Sequence, residues 1–276
     1  MVQDKYFVID AHCHIYPQKI VEKAVAGTDN FYGVKSECYG TYTDLINCGA
    51  ACGIDLFIVQ SVATTPKQVQ SINDFIAESV AQHPHRLTGL GTLHPDSEDI
   101  AGDAKHILSL GLHGVKIHPD IQRFALDDEK CLEMYRVCEE YALPMLIHTG
   151  DNRYDFSNPN RLFPVLRAFP RLTVVGAHFG GFSVWQEAAE KLYKIDNFFV
   201  DCSSTFPFIG VDAARPLVSK FTPDKILFGT DYPMWAPDKE IKRFLSLNLS
   251  EEDNQKIFSE NAKKVYRLFR RCNHYR

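Results

Sequence analysis

The spacing His12-x-His14 suggests a chemistry at once. On a strand, two imidazoles one residue apart project from the same face while Cys13 points to the other, so the pair forms a chelate for a cation. Comparable placements recur further on: LIHTGD offers His148, VGAHFGG offers His178 and LFGTDYP offers Asp231, each at the end of a short apolar run. Three imidazoles and a carboxylate around one point suit a borderline divalent cation, zinc first, with manganese, iron or cobalt as alternatives. With one position open to water, such a cation brings the pKa of that water from about 15.7 to near 7. Hydrolysis by the resulting hydroxide is the chemistry this predicts. Histidine is an uncommon ending for a hydrophobic strand, so agreement among four strand ends argues for one shared site over unrelated packed histidines.

The elements that must position these groups are visible as eight β-rich runs, at 6–14, 55–62, 87–95, 112–119, 144–150, 172–178, 197–203 and 225–232. Most are apolar throughout their middles, as strands covered on both faces are. Helical patterns separate them. Thr65-Pro66 opens one carrying Val69, Ile72, Ile76 and Val80 at spacings of three and four, a stripe for the barrel wall. Segments 127–141 and 185–195 repeat the pattern, and Ser250 with Asp253 opens a terminal helix carrying Ile257, Val265 and Leu268. Eight strands alternating with helices predict an α/β fold, a closed (β/α)8 TIM barrel formed by residues 1–276 as one domain. An open doubly wound sheet is the competing architecture, but no glycine-rich phosphate loop follows the first strand. In a barrel, all of the chemistry-bearing strand ends fall on the rim where active sites form.

Composition agrees with a soluble enzyme and narrows its partners. Of 276 residues, 45% are hydrophobic and 24% charged; 30 basic against 35 acidic side chains give a net charge of −5. Such a balance offers no basic footprint for a nucleic-acid backbone. No apolar run approaches the roughly 18 residues of a membrane span, and the N-terminal segment meets charge too early for a secretory signal. The eight cysteines, Cys13, Cys38, Cys48, Cys52, Cys131, Cys138, Cys202 and Cys272, show no CxxC spacing and read as reduced thiols in a cytoplasm. The partner predicted is a small-molecule substrate, with a homodimer allowed.

Taken together, IDAHCH, GVKIHPD, LIHTGD, VGAHFGG and LFGTDYP resemble, over the whole chain, the motif series of the amidohydrolase superfamily, in its amidohydrolase-related branch. That branch contains hydrolases, lactonases and non-oxidative decarboxylases similar to aminocarboxymuconate-semialdehyde decarboxylase. The resemblance implies that His12, His14, His148 and Asp231 hold one divalent metal, that Asp231 also handles protons, and that His178 lies beside the metal water or the substrate. In some binuclear relatives a lysine from strand four is carbamylated and bridges two metals. Lys116 occupies that strand here and shares its face with His118, so a bridging role, an ion pair and a substrate contact all stay open for the two.

Substrate contacts are expected from loops beyond the strands. Arg153, with a planar guanidinium suited to a carboxylate, is the first candidate. His94 reaches the same rim and reads either as a loop-bonded histidine or as a substrate contact. Arg123, Phe124, Phe206, Phe208 and Trp235 are candidates for an apolar wall. The long segment 16–53 reads as a lid or as packing on the outer helices. The leading functional expectation is a metal-dependent hydrolase cleaving an amide, ester or lactone, with Asp231 and His178 catalytic. A metal-dependent decarboxylase of a small carboxylic acid, aromatic acids included, is the alternative, and a non-catalytic binding barrel the third reading.

Overall fold

The structure, a computed structural model, describes residue 2 and residues 5–269; Cys272 lies outside them. Eight parallel strands run in chain order around a barrel: β1 (Ile9–His14), β2 (Leu56–Gln60), β3 (Leu87–Gly89 and Gly91–Thr92, interrupted at Leu90), β4 (Val115–Ile117), β5 (Met145–Ile147), β6 (Val174–Gly176), β7 (Phe198–Asp201) and β8 (Ile226–Leu227). Each pairs in parallel with its predecessor. Around the break at Leu90, the Leu90 amide donates to Val59 and the Gly91 amide to Gly114, which keeps the wall continuous. The wall closes where the Ala11 amide donates to the Phe228 carbonyl (2.9 Å) and the His14 amide to the Tyr232 carbonyl (2.7 Å). Closure rules out the open sheet and establishes the TIM barrel.

Two apolar layers flank the strands. Inside, Ile9, Ala11, Leu56, Ile58, Leu146, Val175 and Leu227 fill the barrel; outside, Phe57, Val59, Val115, Ile147, Val174 and Ile226 meet the helices. The continuous apolar strands seen in the sequence are therefore buried on both faces. The pairing of β1 with β2 slips between Asp10 and Cys13. That irregularity lets Ile9 and Ala11 point into the barrel while Cys13 packs outside it and His12 and His14 reach the rim, a re-aiming for which bulges beside active sites are suited.

The helices are α1 (Val21–Tyr32), α2 (Tyr42–Cys52), α3 (Val69–Gln82), α4 (Ile100–Ser109), α5 (Pro119–Gln122), α6 (Leu132–Glu140), α7 (Pro159–Ala168), α8 (Trp185–Leu192), α9 (Phe206–Phe221), α10 (Pro237–Leu245), α11 (Glu251–Gln255) and α12 (Asn261–Val265). Expected starts hold where a side chain caps: Gln68 Oε1 accepts from the Thr65 amide ahead of α3, and Ser250 Oγ accepts from the Asp253 amide. The terminal helix read as continuous is broken by a π turn at Lys256–Glu260. Segment 16–53 supplies α1 and α2, which go separate ways: α1 overhangs the strand ends and α2 packs beside α10. Among the described residues, no helix is long and apolar enough to cross a membrane.

Candidate metal centre

His12, His14 and Asp231 meet at the rim. His12 Nε2 lies 3.2 Å from His14 Nε2 and 3.2 Å from Asp231 Oδ1, and His14 Nε2 is 3.6 Å from the same oxygen. Neighbouring ligands of one cation with arms near 2.1 Å stand roughly 3.0–3.4 Å apart, so this donor set fits a divalent metal. Gly229 makes the approach of β8 possible: a Cβ there would sit 3.0 Å from the Cβ of His12.

Asp201, at the end of β7, decides which nitrogen His12 presents. Its Oδ2 accepts from His12 Nδ1 at 2.8 Å, leaving the Nε2 lone pair for the cluster. Its Oδ1 accepts from the amides of His178 (3.1 Å) and Ser203 (3.0 Å). Burial pushes the Asp201 carboxyl up, but electrostatic attraction to His12 and the hydrogen bond from its Nδ1 outweigh that and hold it well below the usual carboxylate range. Asp231 follows the same logic, with burial overcome by His12, His178 and His14, while Ser204 donates to its Oδ2. The left-handed backbone at His178 (φ 60°) and Asp231 (φ 61°) is sterically costly for residues with a Cβ, and both amides are held by hydrogen bonds.

His148 stands apart from the trio. Its Nδ1 faces His178 Nε2 at 3.1 Å, and its Nε2, which has no hydrogen-bond partner among the described residues, points toward Asp120 Oδ2 at 3.7 Å. Structure thus gathers three of the four expected ligands at one point and sets the fourth next to His178. Burial lowers His14, His118 and His148 well below the ordinary imidazole value and brings His178 down to about 4. Neutral imidazoles have the lone pairs a cation requires.

Lys116 and His118 both reach this cluster. Lys116 is buried, its Nζ donates to His12 Nε2 at 3.1 Å, and burial lowers its ammonium to about 8. His118 stacks flat on His148, ring centres 3.9 Å apart, and its Nε2 meets the Tyr32 hydroxyl at 2.7 Å. His12, His14, Lys116, His118, His148, His178 and Asp231 line one cavity of about 970 Å³, roofed by Ala24, Phe31 and Tyr32 of α1 and bounded by Ile72 and Phe75 of α3.

Other expected contacts go elsewhere. Arg153 is committed within its own loop: Nε and Nη2 donate to the two oxygens of Asp151 at 2.9 and 2.7 Å, and Nη1 donates to the Phe31 carbonyl. Asp151, two residues away, takes the planar fork assigned to a substrate carboxylate, and Arg153 serves instead to fasten the end of α1. His94 Nδ1 accepts from the Asp96 amide, Phe124 packs edge-on against His94, and Trp235 donates to Ser204. Neither these nor Arg123, Phe206 and Phe208 line the cavity. Sequence reasoning missed Asp201 and Asp120, whereas Tyr32 belongs to the segment 16–53 that reads as a lid. Asp201 ends β7, as the sequence expects Asp231 to end strand eight, so the signal was present.

The amidohydrolase family matches residues 9–268, and the chain belongs to it. A 2-amino-3-carboxymuconate-6-semialdehyde decarboxylase of Dictyostelium discoideum is 28% identical over 144 residues, half of this chain but only 38% of that relative's length. A gamma-resorcylate decarboxylase of a Polaromonas species is 23% identical over 77% of this chain and 81% of its own. Among solved structures, an uncharacterized TIM-barrel protein of Bordetella bronchiseptica superposes with a TM-score of 0.78 at 21% identity, covering 94% of this chain and 97% of that one. A dihydroxybenzoic acid decarboxylase of Polaromonas, with bound manganese and 2-nitroresorcinol, gives 0.75 at 17% identity, covering 98% and 100%. These relatives overturn the expected hydrolase: both curated relatives are named as decarboxylases, the reaction that stood as the alternative in the sequence reading. The preference for zinc has no support of its own, the metal named in a neighbour being manganese.

Proposed function

We propose that this chain is a divalent-metal-dependent, non-oxidative decarboxylase of a small carboxylic acid. The observation that carries the reading is the match to gamma-resorcylate decarboxylase over most of both chains, joined to the His/Asp cluster at the cavity floor. His12, His14 and Asp231, with His148 completing the set, would hold the metal, manganese or zinc by donor type. When bound, the metal supplies positive charge that orients an anionic substrate and stabilises charge developing next to the carboxylate.

The chain's own residues account for the rest. Lys116 offers a second cationic group on the cavity floor, and the Tyr32 hydroxyl faces the same space from the roof. In the reaction R–COO⁻ plus H⁺ gives R–H plus CO2: the carbon–carbon bond breaks, its electron pair stays on R, and one proton must arrive there. Asp231 carries that proton to carbon. Its carboxylate is ionised at rest and so must take up a proton in each turnover. His178 Nδ1 donates to the Ser203 carbonyl, which turns Nε2 toward the cavity as the partner in that relay. Phe31 of α1 and Ile72 and Phe75 of α3 give the cavity apolar walls.

The test is product analysis on a panel of hydroxybenzoic and related unsaturated acids with manganese or zinc. The reading expects CO2 release and one solvent deuterium on the product carbon in D2O. Incorporation of oxygen-18 from water without CO2 release would overturn it.

A further inference from the structure

A second cluster of metal-ligating side chains lies away from the cavity. Asp44 opens α2 and Cys48 follows one turn later, an i,i+4 pair that shares a helix face. Cys48 Sγ lies 3.8 Å from Asp44 Oδ1. Cys38 joins them from the preceding loop, which is tied to the strand-eight loop by the Cys38 amide on the Pro233 carbonyl (3.0 Å) and the Glu37 amide on the Met234 carbonyl (3.1 Å). The two sulfurs and the carboxylate oxygen all lie within 4.8 Å of one another, and all three residues are only half-buried, so a cation has access from solvent.

Asp44 is held for the role. Its Oδ2 accepts from the Tyr232 hydroxyl at 2.7 Å and from the Tyr39 amide at 3.1 Å, leaving Oδ1 to face the sulfurs. Two thiolates and a carboxylate are a donor set for a borderline-to-soft cation, and they leave a fourth tetrahedral position for water. The His/Asp centre offers no cysteine sulfur, since Cys13 packs on the far side of its strand. We propose that Cys38, Asp44 and Cys48 form a second cation site, separate from the cavity, for a thiophilic divalent ion of the zinc–cadmium class.

Cadmium is the probe, because its thiolate complexes absorb in the ultraviolet by ligand-to-metal charge transfer while His/carboxylate complexes do not. Full-length protein is loaded with manganese, kept reduced with a phosphine, and titrated with cadmium. A charge-transfer band saturating at one equivalent is expected. Cys38→Ser and Cys48→Ser should each weaken it by more than the roughly 10–100-fold that loss of an outer-shell partner costs. Cys52→Ser should leave it unchanged, since Cys52 Sγ bonds back to the Gly49 carbonyl one turn further along α2. Absence of the band, or its survival in the Cys38→Ser/Cys48→Ser double variant, overturns the proposal. Should the serine variants fail to fold by circular dichroism, alkylation of wild type decides: cadmium must protect Cys38 and Cys48 from iodoacetamide in peptide mass spectra, and unprotected thiols overturn the site.

Discussion

Asp201 accepts the Nδ1 proton of His12 at 2.8 Å with both side chains closed off from solvent, and through that bond a residue outside the ligand cluster sets the tautomer of one inside it. Asp201→Asn keeps the shape but removes the charge that makes His12 a good donor. Metal affinity should fall roughly 10–100-fold by chelator competition, with the melting transition still cooperative. Unchanged affinity would show that His12 keeps its orientation without the carboxylate.

His178 and Asp231 separate proton transfer from metal binding. In His178→Asn, metal content should stay near wild type while turnover drops about 10²–10⁴-fold, the range for a lost general acid or base. Asp231→Asn should remain inactive even when metal is restored in excess. Metal loss in the His178 variant, measured by elemental analysis, would instead make His178 a ligand, a role its 3.1 Å approach to His148 leaves within reach.

Tyr32→Phe removes one hydroxyl and retains the edge-on ring contact with Phe31. If the hydroxyl steadies His118 and meets the substrate, kcat/KM should drop about tenfold, as for one hydrogen bond, with metal content unchanged. Kinetics equal to wild type would confine Tyr32 to roofing the cavity.

Glu240 of α10 provides a pH signature remote from the cavity. Burial raises its carboxyl to about 7 despite the partner Arg243, and Oε2 has no hydrogen-bond partner among the described residues. Between the unfolded value near 4.5 and about 7, the folded protein holds a proton that the unfolded chain has lost, so this group costs stability increasingly as pH rises through that window. At pH 8 the full cost is up to about 3 kcal/mol. Glu240→Gln should therefore gain stability over wild type progressively from pH 4.5 to 7 and level off above. A difference between the two melting curves that does not vary with pH would refute the assignment.

The barrel was legible because its signals are local. Apolar strands covered on both faces, and a histidine or aspartate at or just past the ends of four of them, follow from neighbours in the chain, so His12, His14, His148, His178 and Asp231 could be placed on one rim from the sequence. The parity of β1 was legible too, though for an incomplete reason: simple alternation put Cys13 opposite the histidines, whereas the structure reaches that arrangement through a register slip that also turns Ile9 and Ala11 inward.

What the linear order does not contain is competition between side chains distant in sequence. Arg153 looked free to bind a carboxylate until folding set it between Asp151 and the carbonyl of Phe31, 122 residues away. Asp201 and His12 are 189 residues apart, and Tyr32 and His118 are 86 apart; each contact exists only because the barrel closes and α1 folds across its mouth. Reaction type was open at the level of motif for the same reason. One set of imidazoles and carboxylate can serve attack on a carbonyl or loss of CO2, and the choice belongs to the shape and charge of the space above the metal. Residues spread from α1 to β8 build that space, and only tertiary structure brings them together.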